Sequence, residues 1–145
     1  MRLSLGYMDR REELEVISRP SSQAIVEQLP CVVSPAETAY LKEHYTEVTV
    51  SPDVANYLLD IIDQTRKDSN FPNGVSTRGA IALYKAAQVT AAFAGRGFVL
   101  PEDILYVAPY VLTHRLSANS RTRQEDVQDY LMKRIQEVPV PLETL

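Results

Sequence analysis

The chain has 145 residues, of which 45% are hydrophobic and 23% charged, a composition typical of one globular domain with a buried core. Its net charge of −4 disfavours a dedicated nucleic-acid-binding protein, and no apolar run reaches the length of a membrane span. The single cysteine excludes a disulfide within the chain, so a reducing, cytoplasmic location is the simplest expectation.

The first part of the sequence predicts short helices separated by breaks. Residues 1–7 (MRLSLGY) resemble the end of a strand that has no obvious partner later in the chain. Asp9 suits the N-cap of a helix that runs to about Ile17, with Leu14 and Ile17 facing inward. Residues 24–29 are expected to add one short helical turn.

A capping box marks the start of the next helix. In Ser34-Pro35-Ala36-Glu37 the serine suits the N-cap, proline suits the first helical position, and the glutamate completes the box. The helix is expected to run to about Tyr45. Its inward-facing residues are predicted to be Ala36, Tyr40 and Leu41. Cys31, just before this helix, is interpreted as a small buried side chain.

The best periodic pattern in the sequence follows a short extended link at Val48 and Val50. Ser51-Pro52 begins a helix whose apolar residues recur at the spacing of one helical face. These residues are Val54, Tyr57, Leu58, Ile61, Ile62 and Thr65. The spacing predicts that this face is buried, and the polar segment 67–73 predicts a loop after it.

The stretch from Ala80 to Ala94 is apolar on nearly every side. Its apolar residues include Ile81, Leu83, Tyr84, Ala87, Val89, Ala91 and Phe93. The residues left to meet water are Lys85, Gln88 and Thr90. Because a helix that is apolar all round lies inside a fold, we expect a central helix with other helices around it. Gly95 and Gly97 are expected to end it.

Two further helices are predicted after an extended link at residues 98–100. Residues 101–103 (Pro-Glu-Asp) favour a helix start, because proline fits the first position and acids suit the positive end of the dipole. The buried face of this helix is predicted to be Ile104, Leu105, Ala108, Val111 and Leu112. A second capping box, Thr122 with Glu125, begins the last helix, which runs to about Glu137. The buried residues of the last helix are predicted to be Val127, Leu131 and Ile135. The chain is therefore predicted to be all-α, a bundle of about six helices with at most very short extended segments.

The sequence lacks the common catalytic and metal-binding motifs. It has no glycine-rich phosphate loop ending in Lys-Ser/Thr, and its two histidines, His44 and His114, lie far apart without metal-ligand spacing. His44 is expected to be solvated, and His114 to interact with the last carbonyls of its helix. Several acids stand in first turns of predicted helices, which is a capping pattern: Glu12, Glu13, Glu102, Asp103, Glu125 and Asp126. No metal site is predicted.

Four arginines lie at or near predicted helix ends: Arg66, Arg78, Arg96 and Arg115. For Arg96 and Arg115 a surface salt bridge is the favoured interpretation. Arg78 differs, because a cation in a first turn lies at the end of the helix dipole that is already positive. Its position favours an anion or carboxylate that visits this end of the helix.

Several motifs, in order, resemble the C-terminal part of MoxR-type AAA+ ATPases. They are the G-x-S-x-R of residues 74–78 with its alanine-rich helix, residues 95–103 (GRGFVLPED) and residues 111–116 (VLTHRL). Residues 3–7 and Thr65-Arg66 match two further family segments, so the resemblance covers nearly the whole chain. The chain departs from the family pattern at Met8 and Thr77, where the family often has proline.

The resemblance implies a helical lid that follows a P-loop domain, with residues 1–8 as the end of that domain and the hinge. Residues 9–138 would be the lid and 139–145 a tail. Arg78 would be the sensor-2 residue, which contacts the terminal phosphate of ATP, and Leu5, Gly6 and Tyr7 would lie near the adenine. ATP and Mg²⁺ are then cofactors of the full-length protein, and none is expected to bind this fragment.

The resemblance also implies the partners: the chain's own P-loop domain and the neighbouring subunits of a ring, in a protein with chaperone-like activity. An alternative is a free-standing helical module that binds a protein and has no nucleotide role. A small helical enzyme is a third alternative, disfavoured because no catalytic constellation is present. In either of the first two cases this chain alone is expected to hydrolyse no ATP.

Overall fold

The computed structural model describes residues 1–19, 28–117 and 124–141, with the backbone alone for residues 124–126. These residues divide into two units, one of Met1–Arg2 with Glu43–Leu145 and one of Leu3–Lys42. The helical turn expected at residues 24–29 lies mostly outside the described residues. So does the expected capping box of Thr122 with Glu125.

The described parts of the chain contain six α-helices and two 3₁₀ turns. The helices are α1 Arg10–Ser18, α2 Pro35–His44, α3 Pro52–Lys67, α4 Thr77–Phe93, α5 Pro101–Leu112 and α6 Gln124–Gln136, and the 3₁₀ turns are Tyr45–Glu47 and Thr113–Arg115. Extended structure is limited to two isolated bridges, Thr49 with Phe98 and Asn73 with Ser117, among the residues described. The prediction of an all-α chain is confirmed.

Both helix starts predicted in the smaller unit are confirmed. Asp9 Oδ1 accepts the Glu12 amide at 2.8 Å and Glu12 Oε2 accepts the Asp9 amide at 3.0 Å, a complete capping box. Ser34 and Glu37 make the same reciprocal pair, with Ser34 N donating to Glu37 Oε2 at 2.8 Å. These bonds also hold the pKa of Glu37 below its ordinary value.

The burial predicted for these two helices is wrong. Leu14 is 61% exposed and Ile17 73% exposed, and the residues predicted to face inward from α2 are exposed as well. Those residues are Ala36, Tyr40 and Leu41. Cys31, predicted to be buried, is also exposed. The described residues of Leu3–Lys42 include no buried one, so they form no core among themselves that could receive an apolar face.

The larger unit has its core between α3, α4, α5 and α6. All six residues of the periodic face predicted for α3 are buried. The largest fully buried side chains come from all four helices and include Ile61, Ile62, Leu83, Ile104, Leu112 and Leu131. The predicted inner residues of the last helix, Val127, Leu131 and Ile135, are buried as predicted. Full burial of such side chains contributes roughly 1.5–3 kcal/mol each, the main stabilisation of this bundle.

The prediction that α4 is surrounded on every side is wrong. Ile81 is 52% exposed and Phe93 77% exposed, whereas Gln88, predicted to meet water, is only 5% exposed. Its buried positions are Gly79, Ala80, Leu83, Ala87, Gln88 and Ala91, which form one face. Small residues on that face let α5 and α3 approach closely, while Gln88 Nε2 donates to the Val48 carbonyl at 2.7 Å. The helix is thus buried on one side only.

Beyond α4 the chain turns back as predicted. Gly95 adopts a φ of 71°, and Arg96 N donates to the Ala91 carbonyl at 2.9 Å, a helix end that glycine permits. Phe98 then pairs with Thr49, whose N–H donates to the Gly97 carbonyl at 2.9 Å. The extended link predicted here is confirmed.

Candidate functional site

The start of α4 is a well-formed helix N-terminus. Ser76 is the N-cap, and its hydroxyl accepts the Gly79 amide at 3.3 Å. The Ser76 carbonyl also accepts the amides of Gly79 and Ala80 at 2.8 and 3.0 Å. No acidic residue lies in this first turn, so its own sequence supplies no negative charge to balance the positive end of the dipole.

Arg78 lies in this first turn and is exposed. Among the described side chains, no carboxylate pairs with its guanidinium and no acceptor forms a hydrogen bond with it. An arginine that points its donors outward from a helix N-terminus can meet an anion without first breaking an internal bond. The side chain is thus available for the contact that the sequence motif implies.

The residue before the cap, Val75, is held by both of its backbone groups. Its N–H donates to Thr65 Oγ1 at 3.1 Å, and its carbonyl accepts a bond from Arg66 Nε at 2.9 Å. Thr65 is buried, and its hydroxyl donates in turn to the Ile62 carbonyl at 2.6 Å. The end of α3 therefore fixes the residue from which α4 begins.

Two glycines allow close approach at this junction. A β-carbon on Gly74 would stand 2.5 Å from Arg66 Cα, and one on Gly79 would stand 2.5 Å from Val75 Cγ1. The same β-carbon on Gly79 would stand 3.6 Å from Cδ of Arg115. Three elements thus converge beside Arg78: the end of α3, the loop before α4 and the 3₁₀ turn after α5.

Arg115 and His114 stand in that 3₁₀ turn. Arg115 is exposed, and its Nε donates to the Val111 carbonyl at 3.0 Å, in place of the predicted surface salt bridge. Burial, with the nearby positive charges of the amino terminus, Arg115 and Arg2, holds the pKa of His114 below its ordinary value. The Tyr110 backbone opposes this shift without reversing it. The contact of His114 with the last carbonyls of its helix stays a prediction.

Arg96 lies at the far end of α4 and has a structural partner. Its guanidinium binds both carboxylate oxygens of Asp103, with NH1 2.8 Å from Oδ2, and it also donates to the Phe98 carbonyl. Asp103 is buried and accepts the Leu100 amide at 2.8 Å. The predicted salt bridge of Arg96 is confirmed, although its acid is buried and not on the surface.

The other predicted nucleotide contacts belong to the second unit. Leu5 and Tyr7 are fully exposed, and Gly6 has a φ of 69° with its amide 3.4 Å from Ser4 Oγ. The structure describes this unit by itself, so the expected position of these residues beside an adenine stays a prediction. Within the described residues, no cluster of His, Cys, Asp and Glu could hold a metal ion. No described helix has the length and apolar character to cross a bilayer.

Comparison with known proteins agrees with this arrangement. A family model described as AAA lid domain matches residues 63–134, from the end of α3 to the last helix. A crystal structure of a candidate ATPase from Cytophaga hutchinsonii superposes with a TM-score of 0.78 at 29% sequence identity, over 95% of this chain and 45% of that one. The chain is therefore a lid domain of the AAA+ class.

The relatives of this chain indicate which family of AAA+ proteins its lid belongs to. The uncharacterized protein YeaC of Bacillus subtilis is 34% identical over 88% of this chain and 40% of its own length. The chaperone MoxR1 of Mycobacterium tuberculosis is 27% identical over 79% of this chain and 32% of its own. Protein MoxR of Methylorubrum extorquens is 37% identical over 71 residues. The chain belongs to the lids of the MoxR-type AAA+ family, and it spans two fifths or less of the length of these relatives.

Sequence reasoning missed the contacts that position the start of α4. Thr65 was predicted on the buried face of α3 and Arg66 at a helix end, but neither was predicted to bind Val75, which lies ten and nine positions further along the chain. The signal that could have found them is a threonine and an arginine at a helix end, followed by a short loop with a glycine before the next N-cap. Such a loop has backbone groups that must find partners.

Proposed function

We propose that this chain acts as the lid of a MoxR-type AAA+ ATPase and that Arg78 is its sensor-2 residue. In the proposed protein, residues 1–8 form the hinge from a P-loop domain, 9–138 form the lid and 139–145 a tail. Leu5, Gly6 and Tyr7 lie near the adenine. ATP and Mg²⁺ are held mainly by the P-loop domain, and Arg78 adds a contact to the terminal phosphate.

The observation that supports this role is the exposed, unpaired guanidinium of Arg78 at the N-terminus of α4, among the residues described. Phosphoryl transfer is catalysed largely by positioning and by stabilising charge, and a guanidinium offers several donors in a fixed fork. The N-terminal dipole of α4 adds positive potential at the same place. Nothing on the described surface competes with the phosphate for this arginine.

The same contact couples the lid to the nucleotide state. Arg78 gains a partner when the triphosphate is present and loses it after hydrolysis, so the preferred angle of the lid changes between the two states. In a ring, neighbouring subunits would receive that movement. One relative is named a chaperone, which supports a chaperone-like activity for the assembled protein.

The test is ATP turnover by the protein that carries this chain together with its P-loop domain. Arg78→Ala removes a charge-assisted bond worth about 1.5–3 kcal/mol, so turnover is expected to fall roughly 10- to 100-fold. Arg78→Lys keeps the charge without the fork and should recover part of the loss. Circular dichroism should show an unchanged helical content in both variants.

Lys85 provides the matched control. It is an exposed cation on the same helix, two turns further from the N-terminus, and Lys85→Ala should leave turnover unchanged. Equal turnover of wild type and Arg78→Ala would overturn the sensor role. A free-standing interaction module would show no nucleotide dependence in any variant.

A further inference from the structure

We propose that Arg66, with Thr65, is a positioning residue that sets the place of Arg78 through Val75. The inference rests on the proposed sensor role of Arg78 and adds the residues that aim it. Neither Arg66 nor Thr65 needs to touch the nucleotide. Their effect passes through the backbone of the loop that leads into α4.

Val75 is fixed to the end of α3 through its backbone. Both of its polar groups are bound to consecutive residues of α3, the N–H to Thr65 Oγ1 at 3.1 Å and the carbonyl to Arg66 Nε at 2.9 Å. The Val75 side chain is buried at 1% exposure. A residue bound at both backbone groups and packed on its side chain has little freedom, so the N-cap that follows it is fixed in place.

Val75 also packs against the first turn of α4. Val75 Cγ1 occupies the space where a Gly79 β-carbon would stand, and Gly79 directly follows Arg78. The Gly79 amide is also bound to Ser76, through the cap hydroxyl and the carbonyl. A shift of Val75 must therefore move the turn that carries Arg78.

Gly74 allows the loop before α4 to lie close to the end of α3. A β-carbon there would stand 2.5 Å from Arg66 Cα and 2.9 Å from Arg66 N, so the loop lies directly on the backbone of α3. The guanidinium of Arg66 forms two bonds beside this contact. Its Nε donates to the Val75 carbonyl, and its NH1 donates to Asp63 Oδ1 at 3.1 Å. The pair with Asp63 is partly exposed and contributes little stability by itself, so the bond to Val75 is the informative one.

Arg96 is a matched control for Arg66. It also binds a carboxylate and a backbone carbonyl, those of Asp103 and Phe98, but at the opposite end of α4. Removing either guanidinium costs the bundle a charged side chain and its bonds. Only the loss of Arg66 releases Val75.

The experiment compares kcat and KM for ATP in the protein with its P-loop domain, for Arg66→Ala, Arg66→Lys and Arg96→Ala. A displaced catalytic group can cost up to about 100-fold, and we expect kcat to fall on the order of tenfold in Arg66→Ala, with a smaller change in KM. Arg66→Lys retains a charged donor within reach of the Val75 carbonyl and should recover part of kcat. Arg96→Ala should keep kcat near the wild-type value.

The double variant with Arg78→Ala shows whether Arg66 acts through Arg78. If Arg66 acts only by positioning Arg78, it has no effect once the Arg78 side chain is absent. Arg66→Ala should therefore lower kcat no further in the Arg78→Ala background. Amide hydrogen exchange provides a second measurement, on this chain. The Gly79 and Ala80 amides should exchange faster in Arg66→Ala than in wild type, and unchanged in Arg96→Ala.

Each alternative result has a separate meaning. If Arg78→Ala lowers turnover while Arg66→Ala behaves like Arg96→Ala, the positioning role is refuted and the sensor role stands. If Arg66→Ala lowers kcat by the same factor with and without Arg78, Arg66 acts by another route and the inference is again refuted. If Arg78→Ala leaves turnover unchanged, the proposed sensor role fails, and the inference fails with it.

Discussion

Gly74 lies against the backbone of Arg66 so closely that a β-carbon on it would stand 2.5 Å from Arg66 Cα. The contact is between two stretches of main chain, so neither side can rotate away. It joins the loop before α4 to the end of α3 at the point where both backbone groups of Val75 are bound. A single glycine therefore sets how near the candidate site lies to the core helix beneath it.

Gly74→Ala is predicted to destabilise the fold. The added methyl must push the loop away from α3, and overpacking of this kind costs about 1–3 kcal/mol. Urea denaturation followed by circular dichroism measures the loss. Gly97→Ala is the control, because a β-carbon there meets nothing within 4 Å. Equal midpoints for Gly74→Ala and wild type would mean that the loop does not lie this close to α3.

Gln88→Ala is predicted to cost about 1–3 kcal/mol of unfolding free energy, because it removes a buried hydrogen-bond donor from the Val48 carbonyl. Lys85→Ala, an exposed change on the same helix, should stay within about 0.5 kcal/mol of wild type. The same denaturation measurement compares the two. A harmless Gln88→Ala would show that the carbonyl finds another partner.

Gln88 and Lys85 lie on the same helix, yet Gln88 is buried and Lys85 is exposed. This difference shows which features of the fold the sequence could predict and which it could not. Period and capping chemistry depend on neighbouring residues, so the face of α3, the N-cap of α1, the capping box of α2 and the end of α4 at Gly95 were all correctly predicted. Which side of α4 is buried depends on the helices that pack on it. Composition alone could not show that Gln88 turns inward while Phe93 remains exposed.

In the candidate site, too, some features could be predicted from local sequence and others could not. The place of Arg78 in a first turn followed from local sequence and is confirmed, and the structure adds that this residue is exposed. The bonds that hold Val75 join residues of two elements. The threonine and arginine that end α3 could indicate that such bonds form, but not which backbone groups of the loop they reach. The inward faces predicted for α1 and α2 were wrong because an apolar residue is buried only where another surface covers it.

Asp103 gives a prediction for the pH dependence of stability. Burial raises its pKa, but the bonds from Arg96 and the Leu100 amide, with the charge of Arg96, lower it more, so the folded-state pKa lies below the ordinary value of 3.8. A carboxyl with a depressed pKa stabilises the fold above the unfolded-state pKa, and this stability is lost as the pH falls through the folded-state value. Its contribution is therefore complete at neutral pH.

Asp103→Asn should accordingly lower the unfolding free energy by about 1.5–3 kcal/mol at pH 7, and by progressively less as the pH falls from 3.8 through the folded-state pKa. Urea denaturation at several pH values measures both chains. Asp53→Asn, an exposed aspartate in the first turn of α3, is the control and should show a small, nearly constant difference. A constant deficit for Asp103→Asn down to pH 2 would contradict the assignment.

The chain by itself is predicted to bind ATP more weakly than about 1 mM and to hydrolyse none. A single charge-assisted bond from Arg78 contributes roughly 1.5–3 kcal/mol, whereas a 1 mM dissociation constant already requires about 4 kcal/mol. The sequence has no phosphate loop to supply the remainder. Titration calorimetry and a phosphate-release assay with Mg²⁺ measure the two quantities. Magnesium-dependent turnover by this chain, lost in Arg78→Ala, would show that it carries a complete nucleotide site and is more than a lid.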